Sequence, residues 1–134
     1  MAKNILIVGS GRQGISVAYD ILKNSKHNVI ISDINQDCLD QAISKISGIV
    51  DTTNLSNAVV DVQDSQSMLK LLENMDVIVS AVPYEFNLAL TELAIKSKTS
   101  MVDLGGHTNI VRQQLSKNQE AISAGVTIVP DCGM

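Results

Sequence analysis

A four-residue aliphatic run, Ile5-Leu6-Ile7-Val8, passes straight into Gly9-Ser10-Gly11-Arg12-Gln13-Gly14, and an amphipathic stretch follows at once. A strand, glycines spaced as G-x-G-x-x-G and a helix in immediate succession leave the chain few options. Gly9 allows the tight turn, Gly11 lets the backbone approach a bound group, and Gly14 lets the helix pack closely on the strand. The first amides of a helix have no partners within it, and the helix dipole favours an anion there by roughly 0.3–1 kcal/mol. The loop from Gly9 to Gly14 is therefore expected to cradle a pyrophosphate.

The rest of the chain repeats the alternation. Further aliphatic runs occur at Val29-Ile30-Ile31, Ala58-Val59-Val60, Val77 to Val82, Ser100 to Asp103 and Val126 to Val129. Between them lie helical patterns: Ile15, Ala18, Ile21 and Leu22; Leu39, Ala42, Ile43 and Ile46; Met68, Leu71, Leu72 and Met75; Leu90, Leu93 and Ala94. Asp64 and Asn87 are expected N-caps, Gly48 and Gly125 expected C-terminal stops, and Pro83 ends the fourth strand because it has no amide donor. A more polar helix is expected from about Asn109 to Ser123, with Val111, Leu115 and Ile122 as its inward stripe; residues 49–57 read as loop. About six strands joined mostly by helices predict an α/β fold: a doubly wound parallel sheet (Rossmann fold), order 3-2-1-4-5-6. That order reverses between strands one and four, and ligands are expected beyond their C-terminal ends.

Composition agrees. Of the 134 residues 45% are hydrophobic but only 2% aromatic, so the core must be aliphatic, as buried parallel strands require. The net charge is −4 and the only arginines are Arg12 and Arg112, which argues against a nucleic-acid partner. No apolar run approaches the roughly 20 residues of a membrane span. The first residues lack the pattern of a secretory leader, so the cytoplasm is the expected location. Cys38 and Cys132 form no CxxC pair, and no metal site is indicated.

Asp33, 22 residues after Gly11, ends the second strand. A carboxylate there accepts hydrogen bonds from the adenosine ribose and repels a 2′-phosphate, and the residues that follow, Ile34 and Asn35, bring no cation. NAD is therefore expected over NADP; Asp33 could also cap the second helix, a role that does not exclude the first. Arg12 opposes the helix dipole and either borders the pyrophosphate or points to solvent. Asp61-Val62, ending strand three, either meets the adenine or caps a turn. Ser80-Ala81-Val82-Pro83 either borders the nicotinamide ribose or is an ordinary strand end.

Tyr84, Asp103, His107 and Cys132 cluster at predicted C-terminal strand ends, where side chains reach the crevice. Each also has an ordinary reading: Asp103 in a turn, His107 in a solvated loop, Cys132 an inert thiol. No Ser-His-Asp or Cys-His arrangement stands out. Hydride transfer would need none, because the cofactor carries that chemistry.

These residues, with Val60-Asp61-Val62, Ser80 to Tyr84, Met101-Val102-Asp103-Leu104-Gly105-Gly106 and Ile128 to Met134, give a chain that resembles the saccharopine dehydrogenase family, nearest its lysine 6-dehydrogenase-like branch. The resemblance covers essentially the whole chain; Val-Asp-Leu-Gly-Gly and Asp-Cys-Gly-Met are its more specific parts. It implies an NAD(P)-dependent oxidoreductase acting at an amine–imine centre of a small amino acid, with a homodimer built through a second domain that follows this segment. It implies cofactor contacts at the glycine loop, Asp33, Asp61 and the strand-four end (Ala81, Val82, Pro83), and places Asp103, Cys132 and Tyr84 on the substrate side. The chain is then expected to be a single cofactor domain over 1–134, a fragment inactive alone because it cannot position a second reactant. The alternative is a regulatory NAD-sensing module of a channel or transporter, against which the Asp103 to Gly106 and Val129 to Cys132 segments stand. A third reading, an empty scaffold, is opposed by the intact glycine loop and Asp33.

Overall fold

The computed structural model describes residues 1–133; Met134, the last residue of the Asp-Cys-Gly-Met segment, lies outside the described residues. The elements are β1 (Asn4–Val8), α1 (Arg12–Asn24), β2 (Asn28–Asp33), α2 (Gln36–Ser47), β3 (Leu55–Val59), α3 (Ser65–Leu72), β4 (Val77–Ser80), a 3-10 turn (Tyr84–Phe86), α4 (Asn87–Ser97), β5 (Ser100–Asp103), α5 (Thr108–Leu115), α6 (Asn118–Ala124) and β6 (Ile128–Val129). The strands form one sheet in the order β3-β2-β1-β4-β5-β6. Every neighbouring pair runs parallel. This is the doubly wound fold expected.

The strand period of two divides the core between the faces. Ile5 and Ile7 of β1 join Val29, Ile31, Ala18, Leu39, Ala42 and Ile46 on the face covered by α1 and α2. Leu6 and Val8 join Ile78, Met101, Met68, Leu72, Leu90 and Leu93 on the face covered by α3 and α4. Each fully buried aliphatic side chain contributes about 1.5–3 kcal/mol of transfer free energy. Among the described residues no helix is long and apolar enough to cross a membrane.

Five local expectations change. β4 stops at Ser80, two residues short of the expected run to Val82, so Pro83 lies beyond the strand and does not end it. β3 spans Leu55–Val59, starting inside the stretch read as loop; it pairs only with β2 at the sheet edge, and its Ser56 and Asn57 are exposed, so no aliphatic run marks its start. β6 contains only Ile128–Val129, shorter than the expected run from Val126. Asn87 is not a cap: it opens α4 from within, buried, with its Oδ1 accepting from Ser80 Oγ at 2.7 Å. The long polar helix is two. Ser116 Oγ donates to the carbonyl of Gln113 at 2.6 Å and Lys117 N bonds back only three residues, to Gln114 O, so the helical ladder ends there. Of the expected stripe only Val111 is half-buried; Leu115 is 58% and Ile122 61% exposed, while Gln114 and Ala121 turn inward.

Ile122→Ser should therefore leave stability within about 0.5 kcal/mol in urea unfolding. Ile46→Ala should cost about 2–5 kcal/mol. A large loss at Ile122 would restore the single-helix reading.

Candidate functional site

The site starts where β1 runs out. Gly9 has φ +107°, a conformation that side chains disfavour, and a Cβ there would lie 2.6 Å from the carbonyl oxygen of Ala81. The turn can thus press against the end of β4, where Ala81 N donates to Val8 O at 2.7 Å. On the other side Gly9 N donates to Ser32 O at 2.9 Å. A Cβ on Gly14 would collide with the Gly9 carbonyl, so helix and strand meet at that point. Gly11 differs: nothing lies within 4 Å of a Cβ placed on it, and α1 begins there without a side-chain cap or an acidic residue in its first turn. The open amides of that turn suit an anion.

Asp33 fixes the loop from β2. Ser10 donates to its Oδ2 from N at 3.0 Å and from Oγ at 2.6 Å, and Asn35 N donates to its Oδ1 at 3.1 Å. Desolvation pushes its pKa up, but the hydrogen bonds from Ser10, Asn35 and Ile34 outweigh it and hold the carboxyl below the ordinary aspartate value. It does not cap α2; Asn35 does, accepting from Cys38 N.

Two chambers open along the C-terminal ends of the strands. The inner one, about 340 Å³, lies among the glycine loop, Asp33, Asp61, Val62 and Ala81 to Pro83. The outer one, about 520 Å³, shares Ala81, Val82 and Pro83 and adds Gln13, Tyr84, Gly105 and Asp131. Neither chamber is lined by Lys or Arg. Among the described residues no three His, Cys, Asp or Glu side chains converge as a metal site would need.

The family model described as "Saccharopine dehydrogenase NADP binding domain" matches residues 5–129. The chain belongs to this saccharopine dehydrogenase family. It is 30% identical over 135 residues to saccharopine dehydrogenase [NADP(+), L-glutamate-forming] of Saccharomyces cerevisiae, a match spanning all of this chain and 28% of that relative. The solved apo structure of histidine-tagged saccharopine dehydrogenase (L-Glu forming) from the same yeast superposes with a TM-score of 0.76 at 24% identity, over 98% of this chain and 27% of that one. Pen from Bacillus thuringiensis gives 0.71 at 16% identity, over 96% and 48%. The last two likenesses establish the fold alone. The family description and the yeast relative's name both carry NADP and so favour it over the NAD expected from Asp33.

Within this saccharopine dehydrogenase-family domain, the expected cofactor residues gather. Gly9, Ser10, Gly11, Asp33, Asp61, Val62, Ala81, Val82 and Pro83 line the inner chamber, Gln13 lines the outer one, and Gly14 is buried beneath the loop. Arg12 is exposed and lines neither. Asp61 lines the inner chamber and accepts from Gln63 N at 2.9 Å in a turn.

The expected chemical residues separate. Tyr84 borders the outer chamber and stacks on His107, with ring centroids 5.0 Å apart. Cys132 is exposed but does not line it, and its Sγ donates to the Val129 carbonyl at 3.3 Å. Asp103 does not face the crevice at all. It is 0% exposed, accepting from Gly105 N at 2.8 Å, Asp131 N at 3.0 Å and Gln114 Nε2 at 2.7 Å. Strand alternation gives the reason: Asp103 shares the inward face of β5 with Met101. Gln114 carried no sequence signal, because its partners Asp103 and Thr91 lie far off along the chain.

A carboxylate whose folded pKa is depressed stabilises the fold above its unfolded pKa and loses that contribution as pH falls through the folded value. The stability difference between the wild-type chain and Asp33→Asn should stay constant from pH 7 to about 5 and shrink below about pH 4. Urea midpoints across that range measure it. A difference unchanged down to pH 2 would mean that Asp33 is not anchored as described.

Proposed function

We propose that the two chambers bind a nicotinamide adenine dinucleotide, with the pyrophosphate on the Gly9–Gly14 loop and the nicotinamide beside Ala81 to Pro83, and that the bound form is NAD(H). The observation that carries this reading is the open face of Gly11 at an uncapped helix start, beside an ionised Asp33. In this reading the free amides meet the phosphates, Asp33 accepts from the adenosine ribose, and Asp61 and Val62 border the adenine. The dinucleotide supplies the hydride chemistry. The chain's residues orient it and keep one face towards the outer chamber.

The names of the family and of the yeast relative favour NADP. Local electrostatics supports the other choice. A 2′-phosphate would lie beside Asp33, which stays anionic, and neither chamber's lining provides a cation to compensate.

We propose that the parent reaction is oxidoreduction at an amine–imine centre of a small amino acid, a reading that family membership supports. The chain spans 28% of its yeast relative. We therefore read it as the cofactor-binding part of an oxidoreductase whose remaining substrate groups, and a homodimer interface, come from outside these residues. Tyr84 and Cys132 are read as substrate-side residues, with Tyr84 at the chamber wall. The free thiols of Cys38 and Cys132 fit a reducing cytoplasm.

A thermal melt with each dinucleotide tests the reading, because binding to the native state raises stability by about 2.7 kcal/mol at a hundredfold excess over Kd. NADH should shift the midpoint more than NADPH, and Asp33→Ala should reduce the NADH shift more than the NADPH shift. A larger NADPH shift would keep the site and overturn the choice of cofactor. No shift with either would overturn the site.

A further inference from the structure

Asp33 reaches the inner chamber with most of its carboxylate already engaged. We propose that Ser10 is a positioning residue for cofactor recognition: its hydroxyl fills one oxygen of Asp33, so that the carboxylate accepts one adenosine-ribose hydroxyl rather than two. The proposal rests on reading the inner chamber as the adenosine end of a dinucleotide site.

The argument begins with the acceptor sites. An ionised carboxylate has about four, two on each oxygen. Ser10 takes both sites of Oδ2, with its N–H at 3.0 Å and its Oγ–H at 2.6 Å. Asn35 N–H takes one site of Oδ1 at 3.1 Å. The Ile34 amide also pulls on the carboxylate, but it is not aligned on either oxygen as these three donors are. One site is left, on Oδ1. The two neighbouring hydroxyls of a ribose need two.

Of the two Ser10 bonds, the one from the side chain decides the count. The Ser10 amide is carried by the β1 turn, whose Gly9 N donates to Ser32 O at 2.9 Å and whose Gly9 Cα presses on the Ala81 carbonyl. That amide meets Asp33 whatever side chain stands at position 10. The Oγ bond is short and charge-assisted, and such bonds are among the stronger ones. Ser10 is 5% exposed, so a ribose hydroxyl that displaced its Oγ–H from Oδ2 would strand a buried donor.

The crowding is particular to Asp33. Asp61 lines the same chamber, and among the described residues its carboxylate accepts only from Gln63 N. Ser10 therefore sets how Asp33 is presented: Oδ2 is turned to the loop and Oδ1 keeps a single opening. Ser10→Ala would vacate one site of Oδ2 and admit the second hydroxyl.

The test is calorimetric titration with NADH and with its analogues lacking the 2′- or the 3′-hydroxyl of the adenosine ribose. The ratio of Kd values gives a penalty for each missing hydroxyl. With Ser10 in place, Asp33→Ala should erase one penalty, of about tenfold or more, and leave the other unchanged. In the Ser10→Ala background Asp33→Ala should erase both. Ser10→Thr, which keeps the hydroxyl, should retain the wild-type pattern. A carbon-NMR titration of the Asp33 carboxyl should move to higher pH in Ser10→Ala, because a donor to the charged form is lost, and return in Ser10→Thr; a role for Ser10 in packing alone would not move it. Both hydroxyls governed by Asp33 while Ser10 is present, or neither, would overturn the proposal, as would an Asp33 titration unmoved in Ser10→Ala. If NADH fails to bind the wild-type chain, the dinucleotide reading fails separately, and the Asp33 titration still decides whether Ser10 fills the carboxylate.

Discussion

The close approach of Gly9 to the carbonyl of Ala81 is the contact on which the site depends. β1 lies between β2 and β4, and the chain leaves these strands to opposite faces of the sheet. A crevice opens wherever the strand order reverses in this way. Its floor is set by how closely the β1 turn can approach the end of β4. A side chain on Gly9 would meet backbone, which cannot move aside as a flexible side chain could. Gly14 makes the second close approach, and with it α1 is aimed so that its first turn opens into the crevice. Gly11 makes no such approach: a Cβ placed on it would meet nothing within 4 Å.

Two aspartates at strand ends serve the fold in different ways. Asp33 is half-buried, holds the glycine loop through Ser10, and keeps its charge at the chamber edge. Asp103 is fully buried and uses its oxygens to tie β5 to the segment after β6. A buried carboxylate is costly without donors, and here three donors surround it. The result is a loop tied to β5 behind the outer chamber.

How much of this could be read beforehand follows the range of each interaction. The loop and its flanking strand and helix were legible because turn, helix start and packing all act within ten residues. The sheet order followed from alternation and handedness. Edge strands are less legible: β3 carries Ser56 and Asn57 where one flank is open, so its start has the pattern of a loop. The Leu115–Ile122 stripe failed because a helical period was carried across Ser116 and Lys117, where the helix stops. Asp103 was assigned to the crevice by its place at a strand end, yet its spacing of two from Met101 already put it on the core face. Gln114 was out of reach, since its burial depends on groups 11 and 23 residues away.

Gly11 gives the most direct test. Its φ is −74°, so a side chain causes no backbone strain, and the free chain has open space for it. Gly11→Val should fold with stability within about 1 kcal/mol of wild type. Calorimetric titration with NADH should find binding weakened by at least tenfold, because the new side chain occupies the place proposed for the pyrophosphate. If Gly11→Val binds NADH as tightly as the wild-type chain does, the glycine loop is not the phosphate cradle, and the account of this site is wrong.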